Sequence, residues 1–191
     1  MSSSPAPYLR SPSLLNRQES RLLIVDMQDR ILPVIHNGDL VLANCVRLVE
    51  GAQLLQVPVS ATEQYPKGLG PTTAALARQL PDRLEKLRFS SAEVLNWGLA
   101  AEDSTGRFRV VVAGIETHVC ILQTVFDLLS AGFEVHVPAD AVGSRSESNR
   151  QVALDRMALG GAVITTTESV LLEWCEVAGT PDFKQISQMI R

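Results

Sequence analysis

Cysteine, histidine and lysine are all scarce in this chain, and each shortage closes a class of function. Cysteine occurs only at Cys45, Cys120 and Cys175. So odd and widely spaced a set provides no disulfide framework and no zinc-type pairing, and a reducing, cytoplasmic setting is expected. The three histidines, His36, His118 and His136, include no pair at metal-ligand spacing, so no catalytic metal is expected. Lysine and arginine together number 17 against 21 acidic residues and are scattered, which leaves no basic face for DNA or RNA. No apolar stretch reaches membrane-spanning length, and the Ser- and Pro-rich opening lacks the apolar core of a signal peptide, so no membrane partner is expected. Nucleotide loops are missing as well. Gly68-Leu69-Gly70-Pro71 lacks the third glycine of a dinucleotide fingerprint, and no GxxxxGK loop exists, so no cofactor is expected.

What is present describes one soluble globular domain. The chain has 191 residues, 46% of them hydrophobic, with a net charge of −4. That fits a single core over residues 21–191, preceded by a flexible tail over 1–20. Arg21-Leu22-Leu23-Ile24-Val25-Asp26-Met27 is a short, continuously apolar run, the pattern of a strand buried on both faces of a parallel sheet. Similar runs occupy 57–62, 109–113, 133–137 and 162–165. Between them, apolar residues recur at helical spacing over 40–55, 119–129 and 152–159. Capping boxes are read at Ser90 with Glu93, Ser144 with Glu147, and Thr165 with Glu168. Alternating strands and helices imply an α/β fold with a mostly parallel sheet, in which ligands sit outside the carboxyl ends of the strands. Asp26, Glu63, Cys120 and Asp140 all lie at or near such ends.

Two of these positions combine with Lys86 into chemistry. Val110-Val111-Val112-Ala113-Gly114-Ile115-Glu116-Thr117-His118-Val119-Cys120 carries a cysteine to the start of a helical pattern, where backbone N–H groups and the helix dipole lower a thiol pKa. A small buried hydrophobe is the competing role. Asp26, at the end of the most apolar strand, either caps a turn or is a paired carboxylate in a cleft. Lys86, one of three lysines, is flanked by apolar residues, and its ammonium either snorkels to water or turns inward. Together they supply a base, a cation and a thiol from three strand ends, the ingredients of a hydrolytic cysteine site.

The chain resembles the isochorismatase-like cysteine hydrolases, a superfamily that includes nicotinamidases and N-carbamoylsarcosine amidase, and within it the isochorismatase-domain-containing and YcaC-like branches. The resemblance rests on Leu23-Ile24-Val25-Asp26-Met27-Gln28, on the segment from Thr62-Glu63-Gln64-Tyr65 to Gly70, and on Lys86-Leu87-Arg88-Phe89-Ser90. It continues through 114–120, 140–145 and 161–169, covering about residues 20 to 175 in order. It implies a Rossmann-like three-layer α/β/α fold with a six-stranded, mostly parallel sheet. It also implies a catalytic triad of Asp26, Lys86 and Cys120, a cis peptide at Ile115-Glu116, and an oxyanion hole from the backbone N–H groups of Glu116 and Cys120. Gln28, Glu63, Gln64, Tyr65 and His118 are the expected substrate-binding set. Asp140 and Arg145 read as support for the cleft, Trp97 and Trp174 as structural or interfacial, and His136 as buried and neutral.

Two departures bear on substrate. Nicotinamidases carry an Asp and two His as metal ligands after the second strand, where this chain reads Glu63-Gln64-Tyr65-Pro66. Isochorismatases acting on vinyl ethers can lack the cysteine. Cys120 therefore points to metal-independent hydrolysis of an amide-type C–N bond in a small molecule, through a thioester. Vinyl-ether hydrolysis and a non-catalytic binding or redox-responsive module are the alternatives. A homo-oligomer is expected, with contacts from the apolar C-terminal segments 170–174 and 183–190.

Overall fold

β1 (Ser20–Val25) is buried along its whole length, as its Leu, Ile and Val side chains demand. The computed structural model describes residues 8–191. Beside β1 lie β2 (Val59–Gln64), β3 (Leu84–Lys86), β4 (Arg109–Ile115), β5 (Glu134–Pro138) and β7 (Val163–Thr165), in the order β3-β2-β1-β4-β5-β7. Every pairing among them is parallel. A seventh strand, the two-residue β6 (Val142–Gly143), pairs with Gly114 and Ile115 beyond the reach of β5. The expected six-stranded sheet is thus extended by one short strand. All five apolar runs form strands. β3 escaped notice because it is three residues long and two of them are exposed.

The helices are α1 (Gly38–Leu54), α2 (Pro66–Leu69), α3 (Ala74–Ala77), α4 (Ala92–Leu95), α5 (Leu122–Ser130), α6 (Glu147–Leu159), α7 (Thr167–Cys175) and α8 (Pro181–Met189). The two-residue alternation of the strands splits the core into layers. Leu22, Ile24, Val111, Ala113 and Ile115 face α1, α3, α7 and α8. Leu23, Val25, Val110 and Val112 face α4, α5 and α6. Each fully buried Leu, Ile or Val contributes roughly 1.5–3 kcal/mol, so both faces of β1 and β4 are strongly specified.

Several local expectations shift. The N-caps of α4, α6 and α7 are Ser91, Ser146 and Thr166, one or two residues beyond the expected Ser90, Ser144 and Thr165. Of these, only Thr166 caps with its side chain, accepting from the Ser169 N–H at 3.3 Å. The helix expected from residue 119 opens instead with a π-helical turn over Thr117–Ile121 that leads into α5. Of the expected tail, 1–7 lies outside the described residues. From Arg10 onward the chain is docked: Arg10 donates to the carbonyl oxygens of Leu15 and Glu173 at 2.9 and 2.7 Å, and Leu15 is fully buried. The C-terminal surface expected for self-association is largely taken up within the subunit, because Val170, Leu171, Trp174 and Ile186 pack into the α1-side core. No described helix is long and apolar enough to cross a membrane.

Candidate active site

Parallel pairing places the carboxyl ends of β1, β2, β3 and β4 along one edge, and each delivers a side chain there. Asp26 follows β1 with φ 54°, in the left-handed region that Asp tolerates, and only 2% of its surface is exposed. Its Oδ1 accepts from the Thr62 hydroxyl at 2.8 Å and its Oδ2 from Lys86 Nζ at 2.7 Å. Lys86, the last residue of β3, also donates to Gln64 Oε1 at 2.7 Å and to the Phe89 carbonyl oxygen at 2.8 Å. An ammonium has three hydrogens, and here each has a close acceptor, so the cation turns inward instead of snorkelling.

β4 carries the thiol. Gly114 has φ 121°, and a Cβ there would stand 2.1 Å from the Val25 carbonyl oxygen, so only glycine lets β4 approach β1 this closely. The next peptide, Ile115-Glu116, is cis. The π-helical turn then sets Cys120 on the wall of a cavity of ≈80 Å³ that it shares with Asp26, Gln64, Phe89, Ile115 and Glu116. Burial first, then the negative charge of Asp26, push the Cys120 thiol up to about 12, against a smaller opposing effect of Lys86. The lowered thiol pKa expected from a helix start is therefore reversed. Cys120 lies four residues beyond the N-cap Glu116, and desolvation outweighs the helix dipole.

The expected binding set divides. Gln64 lines the cavity and holds Lys86, while its amide nitrogen donates to the Leu87 carbonyl at 2.9 Å. Gln28 is fully buried behind the wall, donating to the carbonyls of Gln64 and Gly70 at 3.0 and 2.6 Å and accepting from the Gln64 N–H at 2.8 Å. Glu63 also points away. It anchors the Thr72 N–H and hydroxyl, each at 2.7 Å, and Arg83 Nε at 2.9 Å. Burial pushes its carboxyl pKa up, but these hydrogen bonds prevail and hold it below the usual range. Tyr65 is half-exposed and lines a separate surface hollow with Pro66, Lys67 and Leu87. His118 pairs its Nδ1 with the Ser144 hydroxyl at 3.0 Å and does not line the cavity.

Glu116 lines the cavity while its carboxylate accepts from the Arg145 backbone N–H at 2.9 Å and from Arg145 Nε at 3.1 Å. Asp140 accepts from the Thr167 N–H at 2.8 Å, fastening the start of α7. His136 is buried in β5, and desolvation is the first cause that lowers its pKa to about 4. Sequence reasoning missed Thr62 beside Asp26 and the apolar lining of Ile31, Leu69, Phe89 and Val119. Thr62 was legible in principle as an inward polar residue at a strand end. Among the described residues, no three His, Cys, Asp or Glu side chains gather as a metal-ligand group.

The chain as a whole has counterparts among known proteins. Residues 20–169 match the family model of the isochorismatase domain. The chain belongs to the isochorismatase family. It is 39% identical over 177 residues to isochorismatase domain-containing protein 2 of Danio rerio, covering 92% of this chain and 89% of that one. It is 45% identical over 172 residues to isochorismatase domain-containing protein 1 of Salmo salar, covering 87% of this chain but 59% of the longer relative. Among solved structures, the MAR1 ribonuclease of Caenorhabditis elegans superposes with a TM-score of 0.85 at 34% identity, over 93% of this chain and 92% of that one. The isochorismatase domain thus takes in the sheet and all three of Asp26, Lys86 and Cys120.

Proposed function

We propose that this isochorismatase-family protein is a metal-independent cysteine hydrolase that cleaves an amide-type C–N bond of a small molecule, with Asp26, Lys86 and Cys120 as its triad. One observation carries the reading: a buried carboxylate–ammonium pair at 2.7 Å whose carboxylate opens on the same small cavity as the only cysteine there. The cavity's size suits a compact substrate. Because the free thiol sits at about 12, its proton leaves together with attack and not beforehand. Asp26 takes that proton as Sγ bonds to the carbonyl carbon and the C=O electron pair moves onto oxygen. The N–H groups of Glu116 and Cys120 receive the oxyanion; one such donor is worth about 3–4 kcal/mol in other hydrolases. Collapse expels the amine, which takes the proton from Asp26 and leaves a thioester on Cys120. Water then adds with Asp26 as base, and the thiol regains its proton. Lys86, 2.7 Å from Oδ2, holds Asp26 in place between the two half-reactions.

The C. elegans relative is described as a ribonuclease, and phosphodiester cleavage is the competing chemistry. A phosphate would here meet the carboxylate of Asp26, while the three close acceptors of Lys86 already engage its hydrogens. That charge arrangement favours a neutral carbonyl substrate. Self-association in a cytoplasmic setting belongs to the same proposal. Self-association is supported by β3, which among the described residues pairs with β2 alone, and by Leu84 and the following Leu87 and Phe89, which are 41%, 77% and 50% exposed. The test is turnover of a panel of small amides and ureas, with mass-spectrometric trapping of an acyl group on Cys120. Ammonia or amine release that Cys120→Ala abolishes is expected. Turnover retained by Cys120→Ala overturns the mechanism, and a panel with no turnover and no adduct favours the binding module.

A further inference from the structure

The cavity beside Cys120 is built from two kinds of surface. Asp26, Gln64, Glu116 and Cys120 make its polar part, and the rest is the apolar wall of Ile31, Leu69, Phe89, Ile115 and Val119. Among the described residues, no arginine, lysine or histidine lines it. Lys86 has its three hydrogens engaged, and Arg145 holds the Glu116 carboxylate from a side chain that is largely exposed. An anionic ligand would meet the Asp26 carboxylate without a countercharge, which is costly away from water.

Amide hydrolysis at Cys120 uses up the polar groups one by one. At the tetrahedral carbon, one bond goes to Sγ, the oxyanion turns to the N–H groups of Glu116 and Cys120, and the nitrogen turns to Asp26, which protonates it as it leaves. Gln64 is committed to Lys86 through Oε1 and to the Leu87 carbonyl through its amide nitrogen. The fourth substituent, the acyl chain, is left with the apolar wall. Space limits it further. The cavity's ≈80 Å³ is about half of the roughly 150 Å³ in which an apolar protein cavity takes up benzene, so it suits about three carbons and not a six-membered ring.

We propose that the cavity selects uncharged amides of short, acyclic aliphatic acids, and that Phe89 sets the largest acyl group admitted. This rests on the hydrolase reading and names its substrate class. Ile115 is fully buried and belongs to the core, whereas Phe89 lines the cavity while half-exposed, so its ring is the part of the wall that limits entry from solvent. Its link to the triad is through its carbonyl oxygen, which accepts from Lys86 and which a change of side chain keeps.

The experiment is protection of Cys120 from carboxamidomethylation by iodoacetamide, read by peptide mass spectrometry on the full chain, and it needs no turnover. Butyramide is expected to slow labelling at a concentration where butyrate and benzamide do not. Iodoacetamide and iodoacetate differ only in bearing an amide or a carboxylate. Their labelling ratio at Cys120 in the folded protein should exceed the ratio at the same cysteine in urea about tenfold or more, the scale of a like-charge contact. Asp26→Asn should shrink that preference. Phe89→Ala should let benzamide protect while butyramide still does; should it fail to fold, Leu69→Ala opens the same wall and takes its place. No protection by butyramide, or equal protection by butyrate or benzamide, overturns the proposal, and turnover of amides in that case leaves the hydrolase reading intact. Protection in the expected order without turnover of any amide supports the selection and overturns the hydrolase reading. A probe ratio equal to that in urea, or unaltered by Asp26→Asn, overturns the rejection of anions, and folded Phe89→Ala protein that still excludes benzamide overturns the role of Phe89.

Discussion

Lys86 Nζ lies 2.7 Å from Asp26 Oδ2, with the lysine side chain 1% exposed and the aspartate 3%. Two charges so far from water persist only because each has its remaining hydrogen bonds filled, Lys86 by Gln64 and Phe89 and Asp26 by Thr62.

Removing one partner therefore costs more than removing both. Lys86→Met is expected to destabilise the fold by about 3–5 kcal/mol in urea unfolding, because it strands a buried carboxylate. The double variant Asp26→Asn, Lys86→Met should recover most of that loss. A single-variant cost below about 1 kcal/mol, the level of a solvent-exposed pair, would mean that the pair does not form in solution.

The thiol makes stability fall in alkali. Cys120 sits at about 12 in the folded chain against an ordinary 9.0, so the folded state binds its proton more tightly than the unfolded state does. Its contribution is whole below pH 9 and is lost as pH rises toward 12. Burial also pushes Cys45 up, so Cys120→Ala should flatten only part of the decline. Thermal melts of both proteins from pH 8 to 11 test this, and parallel curves would contradict it.

His136 works in the opposite direction. Its folded pKa is lowered from 6.5 to about 4, chiefly by burial, so the unfolded chain takes up the proton first as pH falls. Stability present above pH 6.5 should erode between 6.5 and 4 by roughly 3 kcal/mol at 1.36 kcal/mol per unit. His136→Gln, which does not titrate, should lose that slope. A slope unchanged in the variant would place its source elsewhere.

Gly114→Ala tests the seat of the thiol. The added Cβ meets the Val25 carbonyl oxygen at 2.1 Å in a backbone conformation that L side chains rarely adopt. β4 must then shift from β1, carrying Glu116 and Cys120 with it. A stability loss of several kcal/mol, on the scale of overpacked or strained core positions, should accompany loss of Cys120 alkylation control by Asp26. Wild-type melting and alkylation would rule out the close approach.

Much of this was legible because strands buried on both faces cannot hide their composition. The runs at Leu22–Val25 and Val110–Val112 specify two-sided burial wherever they occur, and Asp26 and Cys120 stand out as polar or reactive groups at their ends. β3 was illegible for the converse reason: an edge strand with Leu84 and Glu85 exposed carries no alternation. Glu63 and Gln28 were misplaced because sequence puts them beside the cleft but does not say which way they turn. Both turn back to satisfy the buried backbone of the 64–72 loop. The elevated thiol followed from tertiary burial, which a single helix start does not reveal.

The site's parts are scattered along the chain, with 60 residues separating Asp26 from Lys86. β1, which precedes the other described strands in the chain, sits near the middle of the sheet, and the base it carries meets its cation only after β2 and β3 have been laid outward on one side. The thiol arrives from the opposite side with β4. A chain in which these strands are not yet docked lacks both the burial and the Asp26 charge that raise the Cys120 thiol, so its cysteine stands near the ordinary 9.0. A change in the pH dependence of Cys120 labelling during refolding thus times the closing of the sheet's centre.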